Sequence, residues 1–107
     1  MTVVWEAKAR TEVGDIFSYL FDLSPVLADN WIDELNKKIN LLMTFPEMGR
    51  IVPDYEISFI REVFVRRYRL IYQFQEETIR ILAVRPMGQP LGRIWHNDHK
   101  RETGRDY

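Results

Sequence analysis

The sequence of 107 residues contains no cysteine and only two histidines. Without thiols it can form no disulfide framework, and nothing in it requires an oxidising compartment. His96 and His99 are too few for a zinc site, which takes three or four ligands, so we expect no metal and no cofactor. No apolar run approaches the ~20 residues that span a bilayer, and Met1 to Glu6 is not a signal peptide. These absences predict a cytoplasmic protein without membrane contact.

Lysine is also scarce in the second half of the chain, because none occurs between Lys38 and Lys100. The net charge is only −1, but residues 1–49 carry four basic and eight acidic groups, whereas residues 50–107 carry eleven basic and eight acidic groups. Almost all the basic groups of the second half are arginines. Arginine favours bidentate contacts to phosphate or carboxylate, so these side chains either bind a target or pair with the acidic first half.

The size of the chain predicts one domain, residues 1–107, with a core over about residues 1–86 and a C-terminal tail at 87–107. Residues 1–6 have the composition of a short strand. Apolar residues at steps of three and four then predict an amphipathic helix from about Thr11 to near Asp22. Ser24-Pro25 is a helix-start signal, and Pro46 should end the second helix at Phe45. The short connection makes the two helices an antiparallel hairpin.

The periodicity changes to two after a polar segment, Met48 to Phe59, which we interpret as a loop. Three runs rich in Ile, Val, Tyr and Phe follow and predict an antiparallel meander. They are Ile60 to Val65, Tyr68 to Gln75 and Thr78 to Arg85. Both faces of these strands carry apolar residues, so one can pack on the helices while the other invites a partner.

Three short motifs occur in order along this pattern. They are Phe45-Pro46-Glu47-Met48-Gly49-Arg50, Arg61-Glu62-Val63 and Tyr68-Arg69-Leu70-Ile71-Tyr72. With their spacing, the chain over about residues 1–86 resembles the RelE/ParE toxin superfamily of bacterial toxin–antitoxin systems. The resemblance implies an α+β fold of βααβββ order, with an antiparallel helical hairpin packed on a small, mainly antiparallel sheet.

The resemblance also implies the toxin half of a type II toxin–antitoxin system, neutralised by a cognate antitoxin protein. RelE-like members cut mRNA on the ribosome, whereas ParE-like members inhibit DNA gyrase without established catalytic residues. The long second helix and the Phe-Pro-Glu-Met-Gly-Arg motif are more similar to the ParE branch. The expected partners are the antitoxin and DNA gyrase, with the ribosome and mRNA as the alternative. Operator DNA would be contacted only through the antitoxin.

A ribonuclease of this superfamily needs a base, an acid and cations around the phosphate. The cations could be Arg61, Arg69 and Arg85, and His96 in the tail could transfer a proton. However, Glu62 lies on the strand where RelE-like nucleases carry lysines, and Pro86-Met87-Gly88 follows Arg85 where they carry Tyr or His. We therefore favour a protein that is not an enzyme and assign it no catalytic residue. If it is a nuclease, the catalytic residues would be Arg61, Arg69, Arg85 and His96.

The arginines of the strands and turns are the candidates for contacts to the target or to phosphate. These are Arg61, Arg66, Arg67, Arg69 and Arg85. Arg69 is equally compatible with an ion pair to Glu62 across the hairpin, and Arg66 and Arg67 fall at a turn, where charges are usually only solvated.

Four aromatic side chains are the candidates for antitoxin binding. They are Trp31, Tyr68, Tyr72 and Phe74. Tyr68 and Tyr72 share a strand face with Phe74 and could also stack on nucleobases or belong to the core. Trp31 lies beside the main apolar stripe of its helix, where an exposed Trp would make a binding hot spot.

Overall fold

Two helices pack against one face of a five-stranded sheet in the computed structural model, which describes residues 1–92. The elements follow in chain order: β1 Thr2–Trp5, α1 Ala7–Leu23, α2 Pro25–Thr44, β2 Arg50–Ile51, β3 Ile60–Val65, β4 Tyr68–Gln75 and β5 Thr78–Pro86. The strand order is β1-β5-β4-β3-β2. Only β1 and β5 are parallel, and the other neighbours pair antiparallel. The predicted α+β class and helical hairpin are confirmed.

The helix boundaries follow local signals. Ser24 caps α2, since its Oγ accepts a hydrogen bond of 3.3 Å from the N–H of Leu27, and Pro25 occupies the first turn. Helix α2 ends at Thr44, just before Phe45-Pro46, as predicted. Helix α1 begins at Ala7, four residues before the predicted start at Thr11. The stretch Ala7-Lys8-Ala9-Arg10 lacks a full apolar stripe, but its residues are strong helix formers.

The strand register divides the sheet residues between two faces. On the face that packs the helices, Leu70 lies opposite Val63 and Val84, and these join the helix-side core. Ile71 points to the opposite face, which we call the outer face, and it lies beside Glu62 and Ala83. Directly opposite residues of paired strands share a face. The register therefore fixes the face on which each strand arginine lies.

The outer face is covered by the chain itself. Residues 52–57 and Leu91 pack on the sheet there and form a second core, whose buried members are Val52, Ile60, Ile71, Leu82, Ala83 and Leu91. The expectation of a half-apolar outer face open to a partner is therefore wrong. The segment predicted as a loop over 48–59 also contains β2, whose Arg50 and Ile51 pair with Glu62 and Arg61. These two residues form a strand because they pair with β3. The local sequence has no periodicity of two that would predict it.

The β4–β5 turn carries backbone strain that substitution can relieve. Glu76 and Glu77 have φ of 52° and 60°, in the left-handed region that disfavours residues with a Cβ. Two-residue hairpin turns with both φ positive favour Asn-Gly. We expect Glu76→Asn with Glu77→Gly to raise the free energy of unfolding by about 1 kcal/mol, measured by urea denaturation. The pair Glu76→Gln and Glu77→Gln is the control, because it removes the same charges and keeps the strain. Equal stabilisation by both pairs would assign the effect to charge.

Candidate functional site

The β3–β4 turn presents two exposed cations at one end of the sheet. Arg66 has φ of 56° and donates from Nε to Glu34 of α2 at 2.7 Å, and its side chain is 47% exposed. Arg67 is exposed and makes no side-chain hydrogen bond within residues 1–92. Lys37 and Lys38 of α2 lie with Arg66 along a groove between that helix and β3. Of the five predicted contact arginines, these two remain available to a partner.

A buried carboxylate organises the outer face. The side chain of Glu62 has no exposed surface, and it accepts hydrogen bonds from Nε of Arg69 at 2.6 Å and from Nε of Arg50 at 2.7 Å. A second bond of 3.0 Å joins Arg69 Nη2 to Asp54 in the covering loop. Burial lowers the pKa of Arg69, but the hydrogen bonds and charges of Glu62 and Asp54 outweigh it and raise the pKa overall. Arg69 therefore stays charged, and its guanidinium ties β4 to β3 and to the loop.

Arg85 is engaged in the same way on the neighbouring strand. It lies opposite Arg69 in the register, yet each has its own carboxylate. Nε of Arg85 donates to Glu12 of α1 at 2.8 Å, and Nη1 donates to the carbonyl of Leu91 at 3.1 Å. The other oxygen of Glu12 accepts from the N–H of Val84 at 2.9 Å. The Arg85 side chain is only 13% exposed, so the pair fixes α1 against the open edge of β5.

Arg61 lies on the other side of the sheet. It is directly opposite Tyr72, which belongs to the helix-side core. Its Nη1 donates to the carbonyl of Gly49 at 2.9 Å and to that of Glu47 at 3.3 Å. Arg61 is thus separated by the sheet from Arg69 and Arg85. The three cations of the nuclease alternative are not brought together, and His96 lies outside the described residues.

The Phe45 to Arg50 motif is held against the sheet by the Tyr72 hydroxyl. That hydroxyl donates to the carbonyl of Pro46 at 2.7 Å and accepts from the N–H of Gly49 at 3.1 Å. Burial raises the pKa of Tyr72, while the Gly49 hydrogen bond and Arg61 lower it in part. The phenol stays protonated and keeps its donor. A Cβ on Gly49 would lie 2.6 Å from the carbonyl oxygen of Glu62 and 2.7 Å from the Tyr72 hydroxyl, so only glycine fits this approach.

The four aromatic residues predicted to bind the antitoxin occupy two different environments. Trp31 and Tyr72 have 1% and 0% of their surface exposed. The Trp31 indole donates to the carbonyl of Val65 at 3.3 Å, and its ring meets Tyr68 edge-on at 5.4 Å. A side chain with almost no accessible surface cannot contact a partner of the folded protein. Trp31 and Tyr72 are therefore core residues and not candidates for antitoxin binding. Tyr68 and Phe74 are half-buried at the margin of the core, and their antitoxin contact stays a prediction.

Sequence reasoning overlooked two acceptors of the site. Glu12 accepts from Arg85, and Asp54 accepts from the buried Arg69. Acidic residues in a helix and a loop carry no local sign of that pairing.

Within residues 1–92, neither helix is long and apolar enough to cross a membrane. The same part of the chain contains no group of three or more His, Cys, Asp or Glu side chains arranged to hold a metal ion.

The element order and the sheet topology are those of the RelE/ParE-type fold. A family model described as the ParE toxin of type II toxin–antitoxin systems, parDE, matches residues 3–91, and the chain therefore belongs to the ParE toxin family. A solved structure of the chromosomal ParDE toxin–antitoxin system from P. aeruginosa is similar in fold, with a TM-score of 0.66 and 18% identity over 80% of this chain and 95% of that one. No curated protein matches the sequence.

Proposed function

We propose that this ParE-family toxin arrests growth by binding and inhibiting DNA gyrase, and that its cognate antitoxin neutralises it by covering its surface. The observation that favours binding over catalysis is that the strand arginines lie on two different faces of the sheet. Arg61 lies on one face of the sheet and Arg69 and Arg85 on the other, and each donates to acceptors of the same chain. Phosphoryl chemistry needs cations that converge on one phosphate. This arrangement offers no such centre among the described residues.

The β3–β4 turn is the proposed target contact. Arg66 and Arg67 are exposed, and Lys37 and Lys38 extend the positive surface along α2. Exposed arginines bind carboxylates with planar, bidentate geometry, so the complementary gyrase surface is acidic. Within residues 1–92 these side chains pair only with Glu34, which accepts from Arg66 and whose own side chain is 44% exposed. Such a surface pair is easily exchanged for a target carboxylate.

Supercoiling of relaxed plasmid by purified gyrase tests the proposal. The purified chain should inhibit the reaction, and we expect Arg66→Ala with Arg67→Ala to raise the half-inhibitory concentration by about tenfold or more. The free energy of unfolding should change by less than about 1 kcal/mol, because neither side chain is buried. Arg80→Ala is the matched control, since Arg80 forms a comparable half-exposed pair with Glu6 away from the turn.

The outcomes separate the two mechanisms. Unaffected supercoiling together with mRNA cleavage at translating ribosomes would replace gyrase inhibition by the RelE-like ribonuclease mechanism. Inhibition that is equally sensitive to Arg80→Ala would remove the β3–β4 turn as the contact while leaving gyrase as the target.

A further inference from the structure

Strand β1 forms one edge of the sheet, and no strand of residues 1–92 lies beyond it. The N–H groups of Thr2 and Glu6 donate to carbonyls on the β5 side. Along a paired strand, the backbone groups of successive residues point alternately toward the two sides. The N–H and C=O groups of Val3 and Trp5 therefore point away from β5, toward the open side of the edge.

Two other edge segments of the sheet are protected against pairing. Strand β2 has only two residues and includes the charged Arg50. Beyond the end of β1, strand β5 contains a bulge at Leu82, which the register with β4 skips, and the N–H of Val84 donates to the carboxylate of Glu12 at 2.9 Å. Short strands, charges and bulges are the usual means by which proteins protect sheet edges.

Strand β1 has none of these protecting features. Its sequence, Thr2-Val3-Val4-Trp5, contains only β-branched and aromatic residues, without a charge or a proline. Its register with β5 is continuous from Thr2 to Trp5, so no bulge twists it away from an approaching strand. An uncharged and regular edge of this kind is able to pair with a strand of another chain.

We propose that two copies of this chain pair antiparallel through β1, about a two-fold axis, so that their sheets join into one. Antiparallel pairing places the outward-pointing residues of the two strands opposite each other. With Val3 of one copy opposite Trp5 of the other, both outward-pointing residues of β1 are paired, and about four backbone hydrogen bonds form. Placing Val3 opposite Val3 would instead pair Trp5 with Met1, which lies outside the strand.

The side chains of this edge suit a second copy. Val3 and Trp5 lie on the helix-side face, and an aromatic residue opposite a β-branched one is a favourable cross-strand pair. On the outer face, Val4 lies opposite Val4 of the other copy. The nearest strand charge on that face is Arg80, which is paired with Glu6 at 2.8 Å. Two β1 strands separate the two Arg80 side chains by at least about 14 Å, beyond the screening length at physiological salt. The paired strands therefore bring no like charges together.

The β3–β4 turn stays accessible in such a dimer. Strands β5 and β4 separate β1 from β3, so pairing through β1 leaves the exposed Arg66 and Arg67 uncovered. A dimer presents two copies of the proposed target contact. Dimerisation through β1 goes beyond the proposed function and does not depend on it.

Sedimentation equilibrium of the purified chain measures the association. We expect a monomer–dimer equilibrium with a dissociation constant on the order of tens of micromolar, because a short edge strand buries little surface. Val3→Pro should raise this constant by about tenfold or more, since it removes an N–H that points to the partner and none that bonds to β5. Val3→Thr is the matched control and should stay within about threefold. Circular dichroism and urea denaturation show whether each variant is folded.

Complementary charges at Val4 test the register. Val4→Lys and Val4→Glu should each raise the dissociation constant by about tenfold or more, because like charges then lie directly opposite each other. An equimolar mixture of the two variants should dimerise again, because opposite charges then face each other. Thr78→Lys and Thr78→Glu are the controls on β5, one strand in from the edge, and each should dimerise within about threefold of the wild type.

The outcomes decide whether β1 is the interface. A wild-type chain that stays monomeric at about 500 µM, well above the expected dissociation constant, overturns the dimer. A dimer that is insensitive to Val3→Pro and to the charged Val4 variants overturns the use of β1. If Val3→Pro does not fold, the mixing experiment at Val4 decides. A monomeric toxin whose binding to the protein of the neighbouring gene is lost in Val3→Pro would assign this edge to the antitoxin instead.

Discussion

Replacing Arg69 by alanine is expected to lower the free energy of unfolding by about 3 kcal/mol or more, a large share of the stability of a small domain. Within residues 1–92, the substitution leaves the fully buried Glu62 carboxylate with an ion pair to Arg50 alone, and it releases Asp54 in the covering loop. Urea denaturation measures the loss. Arg50→Ala is the matched control, and it should cost about 1 kcal/mol or less because the Arg50 side chain is 57% exposed.

The Arg69 prediction also changes how a loss of toxicity must be interpreted. An inactive Arg69→Ala protein would look like a catalytic or phosphate-binding variant, although its defect is in folding. Arg69→Met combined with Glu62→Leu removes both buried charges and should recover part of the lost stability, as apolar replacements of buried ion pairs often do. We expect growth arrest to return with stability. A folded double variant that no longer arrests growth would show that Arg69 contacts the target.

Replacing Gly49 by alanine is expected to cost about 3 kcal/mol, because the new methyl group must displace both the Glu62 carbonyl and the Tyr72 hydroxyl. The Glu62 carbonyl belongs to β3 and cannot move without disturbing the β2–β3 pairing. The contrasting control is Gly14→Ala in α1, which meets no atom and should raise the free energy of unfolding by up to about 1 kcal/mol. Both values come from urea denaturation.

Tyr72→Phe separates the two contacts at Gly49. Without the hydroxyl, Gly49→Ala loses one of its two close contacts, so its additional cost in the Tyr72→Phe background should be smaller than in the wild type. An unchanged cost would assign the effect to the Glu62 carbonyl and to the ring carbon Cε1 of residue 72, which lies 3.0 Å from the added Cβ and remains in the Phe variant. A Gly49→Ala protein as stable as the wild type would contradict the described packing of the Phe45 to Arg50 motif.

The fold was predictable where local chemistry decides. Ser24-Pro25 and Phe45-Pro46 bound the second helix through capping and proline geometry, and alternating apolar residues indicate β3, β4 and β5. The two-residue β2 was not predictable, because its pairing with β3 depends on the path of the whole 45–60 segment. Likewise, Glu62 was a recognisable partner for Arg69, but the burial of the pair comes from a loop that crosses the outer face and has no periodicity of its own.

The site was less predictable than the fold. Trp31 and Tyr72 are aromatic residues in amphipathic elements, and such patterns do not distinguish a core position from a binding position at its margin. The motif residues that identify the family, among them Gly49, Arg61 and Tyr72, prove to hold the chain in shape. Arg67, which is proposed to contact the target, lies outside the packed interior and makes no side-chain hydrogen bond within residues 1–92.

The order in which cellular synthesis stops after induction tests the central claim, inhibition of gyrase by a toxin without nuclease activity. Pulse labelling of DNA and protein in the same culture follows both processes. Inhibited gyrase predicts that DNA synthesis falls first, while protein synthesis continues and mRNA stays intact. An immediate fall in protein synthesis with cleaved mRNA, while DNA synthesis continues, would contradict the account.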